Sequence, residues 1–110
     1  MTVYVDDMRA RFRGHIMCHM IADAEAELHD MAARIGIARR WYQGDHYDVT
    51  LDHRSLAVTL GAAEITWRQC SLMTVLRRRD PAAPLVTPDQ GTAWLRARVE
   101  AHLATWAGPN

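Results

Sequence analysis

Two hydrophobic periods alternate along this chain, and their order predicts its elements. Val3 and Val5 alternate with Thr2 and Tyr4, the spacing of a strand with one face on a core, and the run ends in Asp6 and Asp7. The arginine-rich MRARFRG that follows breaks the alternation and reads as a turn or loop. From Ile16 to Ile21 the period of two returns; when extended, His15, Met17 and His19 share one side, and Ile16, Cys18 and Met20 the other. A helix is then predicted, capped by Asp23, with Glu25 and Glu27 in its first turn and Gly36 as its stop. Its apolar stripe is Ala24, Leu28, Met31, Ala32 and Ile35, and His29 falls at the edge of that stripe, one turn after Glu25.

The segment RRWYQGDHYD loses both periods and gathers polar and aromatic residues around Gly44, so it reads as a structured loop leading into a short strand. Thr50 caps a second predicted helix that carries Leu56 and Leu60 one turn apart and closes at Gly61. Glu64 to Trp67 is expected as another short strand. Cys70 to Arg79 is expected as a third helix with Leu72, Val75 and Leu76 facing inward. Pro81, Pro84 and Pro88 then interrupt any helix. The expected organisation is a body over residues 1–79, a proline-rich linker over 80–91 and an amphipathic helix over 92–107. Trp94, Leu95, Val99 and Leu103 of that helix would pack on the body or on a second copy of the chain, as a homodimer through the C-terminal helix. The fold class is α+β: a small mixed sheet of three to four short strands with three to four helices, in a single domain.

Composition narrows the functions more than it names one. The chain has 110 residues, about half of them apolar, with 13 acidic residues balancing 13 basic ones. That is one well-folded core with no overall field to draw nucleic acid or an anionic membrane. Nucleic-acid binding is therefore disfavoured. Cys18 and Cys70 stand far apart and form neither a disulfide framework nor a paired zinc motif, so the expected compartment is a reducing cytoplasm. The N-terminus lacks the pattern of a secretory signal, and no run of ~20 apolar residues predicts a membrane span.

The order VYVDD, CHMIAD, AEAELHDMAARIG, WYQG, HYDV and RSLAVTLGA resembles the bacterial and phage family known as domain of unknown function 4031, over about residues 1–65. The family pattern falls on Asp6, His19, Asp23, Glu27, His29, Trp41, Gln43, His46, Tyr47, Asp48, Arg54 and Gly61; Tyr42 stands where the family often has phenylalanine. The family carries no established activity, so the resemblance marks positions and supplies no mechanism.

Those positions bring together imidazoles, carboxylates, an amide and a guanidinium, which are the groups used to move protons and hold a polar ligand. The reading that follows is a small enzyme or ligand-binding domain for a polar or nucleotide-like molecule. Its catalytic candidates are His46, Asp48, Asp6 and His19: His46 transfers a proton, and Asp48 or Asp6 orients it. Gln43, Arg54, Trp41, His29 and Tyr47 are the ligand-binding candidates, with Arg54 holding an anionic group and Tyr47 anchoring the core. Pairing of their two strands would place Asp6 near His46 and Asp48. The cofactor is undetermined, and no structural zinc is expected, since neither cysteine belongs to a closed four-ligand set. Zinc would nonetheless accept the ligand types of His19, His46 and Asp48 or Asp6. The rival reading is a protein–protein interaction module, a phage or host accessory factor, with an aromatic and arginine surface.

Overall fold

The computed structural model describes residues 2–81 and, nearer the C-terminus, residues 97, 99–101 and 103–105. Among these, five strands form one mixed sheet: β1 (Val3–Val5), β2 (Ala10–Phe12), β3 (His15–Ala22), β4 (Tyr47–Thr50) and β5 (Ala63–Glu64). The helices are α1 (Glu25–Arg34), α2 (Leu51–Thr59) and α3 (Trp67–Arg79), with a short 3₁₀ turn at Arg39–Trp41. The class is α+β. Residues 82–96, including Trp94 and Leu95, lie outside the described residues.

The eight-residue β3 organises the sheet. One of its edges is shared: β1 pairs antiparallel along Met20–Ala22, and β2 pairs antiparallel along His15–Met17. Its other edge takes β4 antiparallel, with Cys18 opposite Val49 and His19 opposite Asp48. Met20 sits between Val5 on one side and Tyr47 on the other. Strand β5 adds to β1 in parallel. The expected direct pairing of β1 with β4 is therefore wrong; β3 lies between them.

Alternation of side chains along the strands sorts the two faces. Val3, Val5, Cys18, Met20, Tyr47 and Val49 pack under α1 and α2 with Leu28, Met31, Ala32 and Ala57. On the opposite face, α3 covers Tyr4 and Ile21 through Cys70 and Met73, with Ile65 alongside. Because α3 covers part of that face, His15, Met17, Asp48 and Thr50 line an open cleft beyond it.

Several elements differ from the sequence-based expectation. The loop at MRARFRG contains β2, whose residues are all exposed, so no core-facing alternation announces it. Arg13 and Gly14 (φ 49° and 81°) form the two-residue turn that joins β2 to β3; successive positive φ values are what such a hairpin requires. Ala24, rather than Asp23, is the N-cap of α1. The Asp23 carboxylate instead accepts from the Thr2 backbone N–H at 2.7 Å and the Tyr4 hydroxyl at 3.1 Å, tying β1 to the end of β3. Burial first, and then this neighbouring carboxylate, push the Tyr4 hydroxyl up to about 12.

Leu56 and Leu60 are exposed, and α2 turns Ala57 inward with Leu51 and Val58 against the core. Strand β5 ends at Glu64, because Thr66 caps α3 in a capping box with Gln69, starting that helix at Trp67. Gln69, Cys70, Met73 and Leu76 are its buried residues, and Val75 is exposed. The predicted cap at Thr50 is present, accepting from His53 N–H at 3.2 Å. No helix among the described residues is long and apolar enough to cross a membrane.

Candidate functional site

Asp6 follows β1 directly and is fully buried. Its backbone N–H donates to the His19 carbonyl, while its Oδ1 accepts from the backbone N–H groups of His19 (2.7 Å) and Met8 (3.2 Å). Its Oδ2 lies 2.8 Å from His19 Nδ1. Burial works against ionisation of this carboxyl. The hydrogen bonds from the His19 ring and from the two backbone N–H groups outweigh burial and hold it below the usual 3.8. The same contact raises His19 above 6.5 against the opposing effect of its burial, with the charges of Asp6, Asp48 and Asp45 adding to the rise.

Strand register places Asp48 opposite His19, on the same face of the sheet. The loop before β4 supplies the rest. Its turn is held by the Gln43 N–H on the His46 carbonyl (2.9 Å) and by the Tyr42 hydroxyl on the Gly44 carbonyl (2.6 Å), with Gly44 at φ 91°. This brings the His46 ring against the His19 ring, edge to face at 5.1 Å between centroids. His46 Nδ1 is 2.6 Å from Asp45 Oδ1, and its Nε2 is 3.5 Å from Asp48 Oδ1. His19 Nε2 lies 3.9 Å from that same oxygen. Asp48 Oδ2 accepts from Gln43 Nε2 at 2.7 Å, whereas Asp48 Oδ1 is buried and accepts no hydrogen bond. Across the cluster, Arg78 Nε of α3 donates to Asp45 Oδ2 at 2.8 Å. That bond and the one from His46 overcome the effect of burial and keep the Asp45 carboxyl low.

Two clefts border the cluster. The larger, about 710 Å³, lies between the β2–β3 hairpin, the loop containing Trp41 and the start of α2; Asp48 and Gln43 line it. The smaller, about 240 Å³, runs along α3 and is lined by His19, His46 and Cys70.

Asp6, His19, Gln43, His46 and Asp48 are thus brought together as the sequence reading placed them, though through β3 rather than by direct strand pairing. Trp41 is 54% exposed in the larger cleft, with the Arg40 guanidinium 5.3 Å from its ring. Three candidates lie elsewhere. Arg54 donates from Nε to the Asp6 carbonyl (2.7 Å) and from Nη1 to Glu64 (2.9 Å), and it lines neither cleft. Tyr47 is buried on the opposite face, and its hydroxyl is 2.7 Å from His29 Nδ1. His29 Nε2 faces Glu25 at 3.2 Å, so both of its ring nitrogens are engaged away from the cluster.

The sequence reading missed Asp45, Cys70 and Arg78. Asp45 adjoins His46 in sequence and was findable as the carboxylate next to an imidazole. Cys70 and Arg78 reach the cluster only because α3 folds across the sheet, which no local signal reveals. The Cys70 thiol, buried beside Asp6, is pushed up to about 12, chiefly by burial, and is no nucleophile in that state.

These features define a small α+β domain that carries a histidine–aspartate cluster beside a cleft. The chain belongs to the family described as protein of unknown function (DUF4031), which matches residues 3–79 and so extends through α3, past the stretch marked by the sequence motifs. No curated protein and no solved structure matches it.

Proposed function

We propose that this protein is a small enzyme that holds a polar, anionic ligand in the larger cleft and acts on it with His19, His46 and Asp48. One observation carries the reading: each imidazole is held at Nδ1 by its own carboxylate, Asp6 or Asp45, so both Nε2 atoms are aimed at the same Asp48 oxygen. Oriented imidazoles of this kind serve acid–base chemistry or ion binding. The orienting role expected of Asp48 or Asp6 for His46 falls to Asp45.

The cleft supports the ligand class. Arg13, Arg40, His15 and His53 line it, and Asp48 is its one carboxylate among the described residues. Phe12 and Trp41 contribute exposed rings to the same lining. A nucleotide-like molecule, with a planar ring and an anionic group, suits that combination. Arg13 and Arg40 take over the anion-binding role first given to Arg54. These aromatic residues line a concavity, which favours ligand binding over a flat docking patch.

The test is a thermal-melt screen of nucleotides and phosphorylated metabolites against wild type, His46→Ala and Asp48→Ala. Both variants are expected to melt within about 4 °C of wild type, a change under ~1 kcal/mol for a domain of this size. At least one ligand is expected to raise the wild-type melt and to leave the two variants unmoved. Variants that melt far lower, with no ligand shifting wild type, would assign the cluster to the scaffold.

A further inference from the structure

His19, His46 and Asp48 each offer one ligand atom at the centre of the cluster, all within 4.8 Å, and the Nε2 atoms of both histidines face Asp48 Oδ1. The carboxylates of Asp6 and Asp45 only accept, so each neutral imidazole carries its proton on Nδ1 and presents a bare Nε2 to the centre. Three lone pairs then converge on one point, and the buried Asp48 Oδ1 accepts no hydrogen bond there. Buried polar atoms left in this way are costly and call for a partner. A proton on either Nε2 is a poor partner, because separations of 3.5 and 3.9 Å exceed an N–H···O bond. The spacing suits a larger cation: bonds of ~2.0–2.1 Å in a tetrahedron put ligand atoms about 3.3–3.4 Å apart.

We infer that His19, His46 and Asp48 form a binding site for a divalent first-row transition metal ion. This deepens the reading above by supplying the centre at which the enzyme would act on its ligand. The outer atoms of all three ligands are already fixed, by Asp6, Asp45 and Gln43, in the way that partners behind a metal site fix ligand orientation and tautomer. Three protein ligands leave positions open for water or substrate, the pattern of catalytic zinc and of two-histidine, one-carboxylate iron(II) centres. Two imidazoles disfavour magnesium and calcium, which prefer oxygen. A neighbouring set, Asp6, His19 and Cys70, is the weaker candidate, because both Asp6 oxygens are occupied by hydrogen bonds.

The decisive measurement titrates untagged, chelator-stripped full chain with zinc, and separately with iron(II) without oxygen, against a competing chelator. One equivalent of at least one ion is expected to bind; zinc is expected to bind tighter than iron(II), as at most nitrogen and oxygen sites, so stoichiometry and not relative affinity is the readout. Asp45→Asn should weaken binding by about 10–100-fold, the effect of losing a group behind a ligand. His46→Ala and Asp48→Ala should weaken it further, with circular dichroism confirming that each metal-free variant is folded. Cobalt(II) substituted at the site should give visible bands of nitrogen and oxygen ligation without a thiolate charge-transfer band. Uptake well below one equivalent for both ions, equal binding by wild type and His46→Ala, or a thiolate band from Cys70 would each overturn the site. Metal uptake without any small-molecule ligand would leave the site standing and sink the enzyme reading; ligand binding without metal uptake would do the reverse.

Discussion

Asp6 and Asp48 both approach His19, yet their surroundings give them different work. Asp6 is fully buried and satisfies two backbone N–H groups as well as the imidazole, whereas the Asp48 side chain is 35% exposed and held by one amide. Asp6→Ala is expected to destabilise the fold by about 3 kcal/mol, the scale of breaking a buried ionic pair by removing one member. Denaturant unfolding of Asp6→Ala beside Asp48→Ala would check the difference. The same pair sets a pH window in the metal-free protein. The lowered Asp6 contributes stability that is complete above 3.8 and is lost as pH falls through its folded value. The raised His19 contributes stability that is complete below 6.5 and is lost as pH rises through its folded value. Melts in chelator should therefore show the pair's full contribution between those limits and a decline on either side, with both arms flattened in Asp6→Asn. Sequence exposed these residues well where chemistry shares a short segment, as in His46 and Asp48. It misplaced Arg54 because a guanidinium bound to a carbonyl and one free for a ligand look alike in a sequence.

Elements were legible where apolar spacing was regular, as in β1, β3 and α1, and the Thr50 cap was legible from its residue type, whereas the cap of α1 was not. In α2 the inward row is Leu51, Arg54 and Ala57 with Val58, and the charged Arg54 breaks the stripe that periodicity looks for, while Leu56 and Leu60, one turn apart, lie on the exposed side. The β2–β3 hairpin was hidden for another reason. Its first strand has no buried face, and its signature is a pair of positive φ values at Arg13 and Gly14. Nothing crowds a Cβ at Gly14, so Gly14→Ala probes backbone conformation alone. It should cost about 1–2 kcal/mol, the penalty of holding a side-chain-bearing residue left-handed, as read by denaturant unfolding. A larger loss would mean that the hairpin supports more of the sheet than its exposed strand suggests.

At the scale of the molecule, Val99 is buried against Leu76 and Leu72, so part of the C-terminal helix packs on α3 of its own chain. Val99→Ala removes the equivalent of two buried methylenes, about 1.6 kcal/mol at ~0.8 each. Leu103→Ala, at a residue 36% exposed, should cost far less. Comparable losses in both variants, or a Val99 effect that vanishes on dilution, would place the helix against a second copy instead. Long-range arrangement of this kind, like the placement of α3 over the cluster, has no counterpart in local pattern.

The His19 ring lies between two parts of the protein with different histories open to them. On one side stands Asp6, which the core needs whether or not any chemistry takes place; on the other stands a loop, residues 43–46, whose side chains serve mainly the cluster. A lineage can give up the cluster by changing Gln43, Asp45 or His46 and still inherit a folded domain. A change at Asp6 weakens the fold and the cluster together. Descendants that retain the aspartate after β1 but vary in the loop would keep the domain without the cluster, still able to fold and free to be recruited for something else.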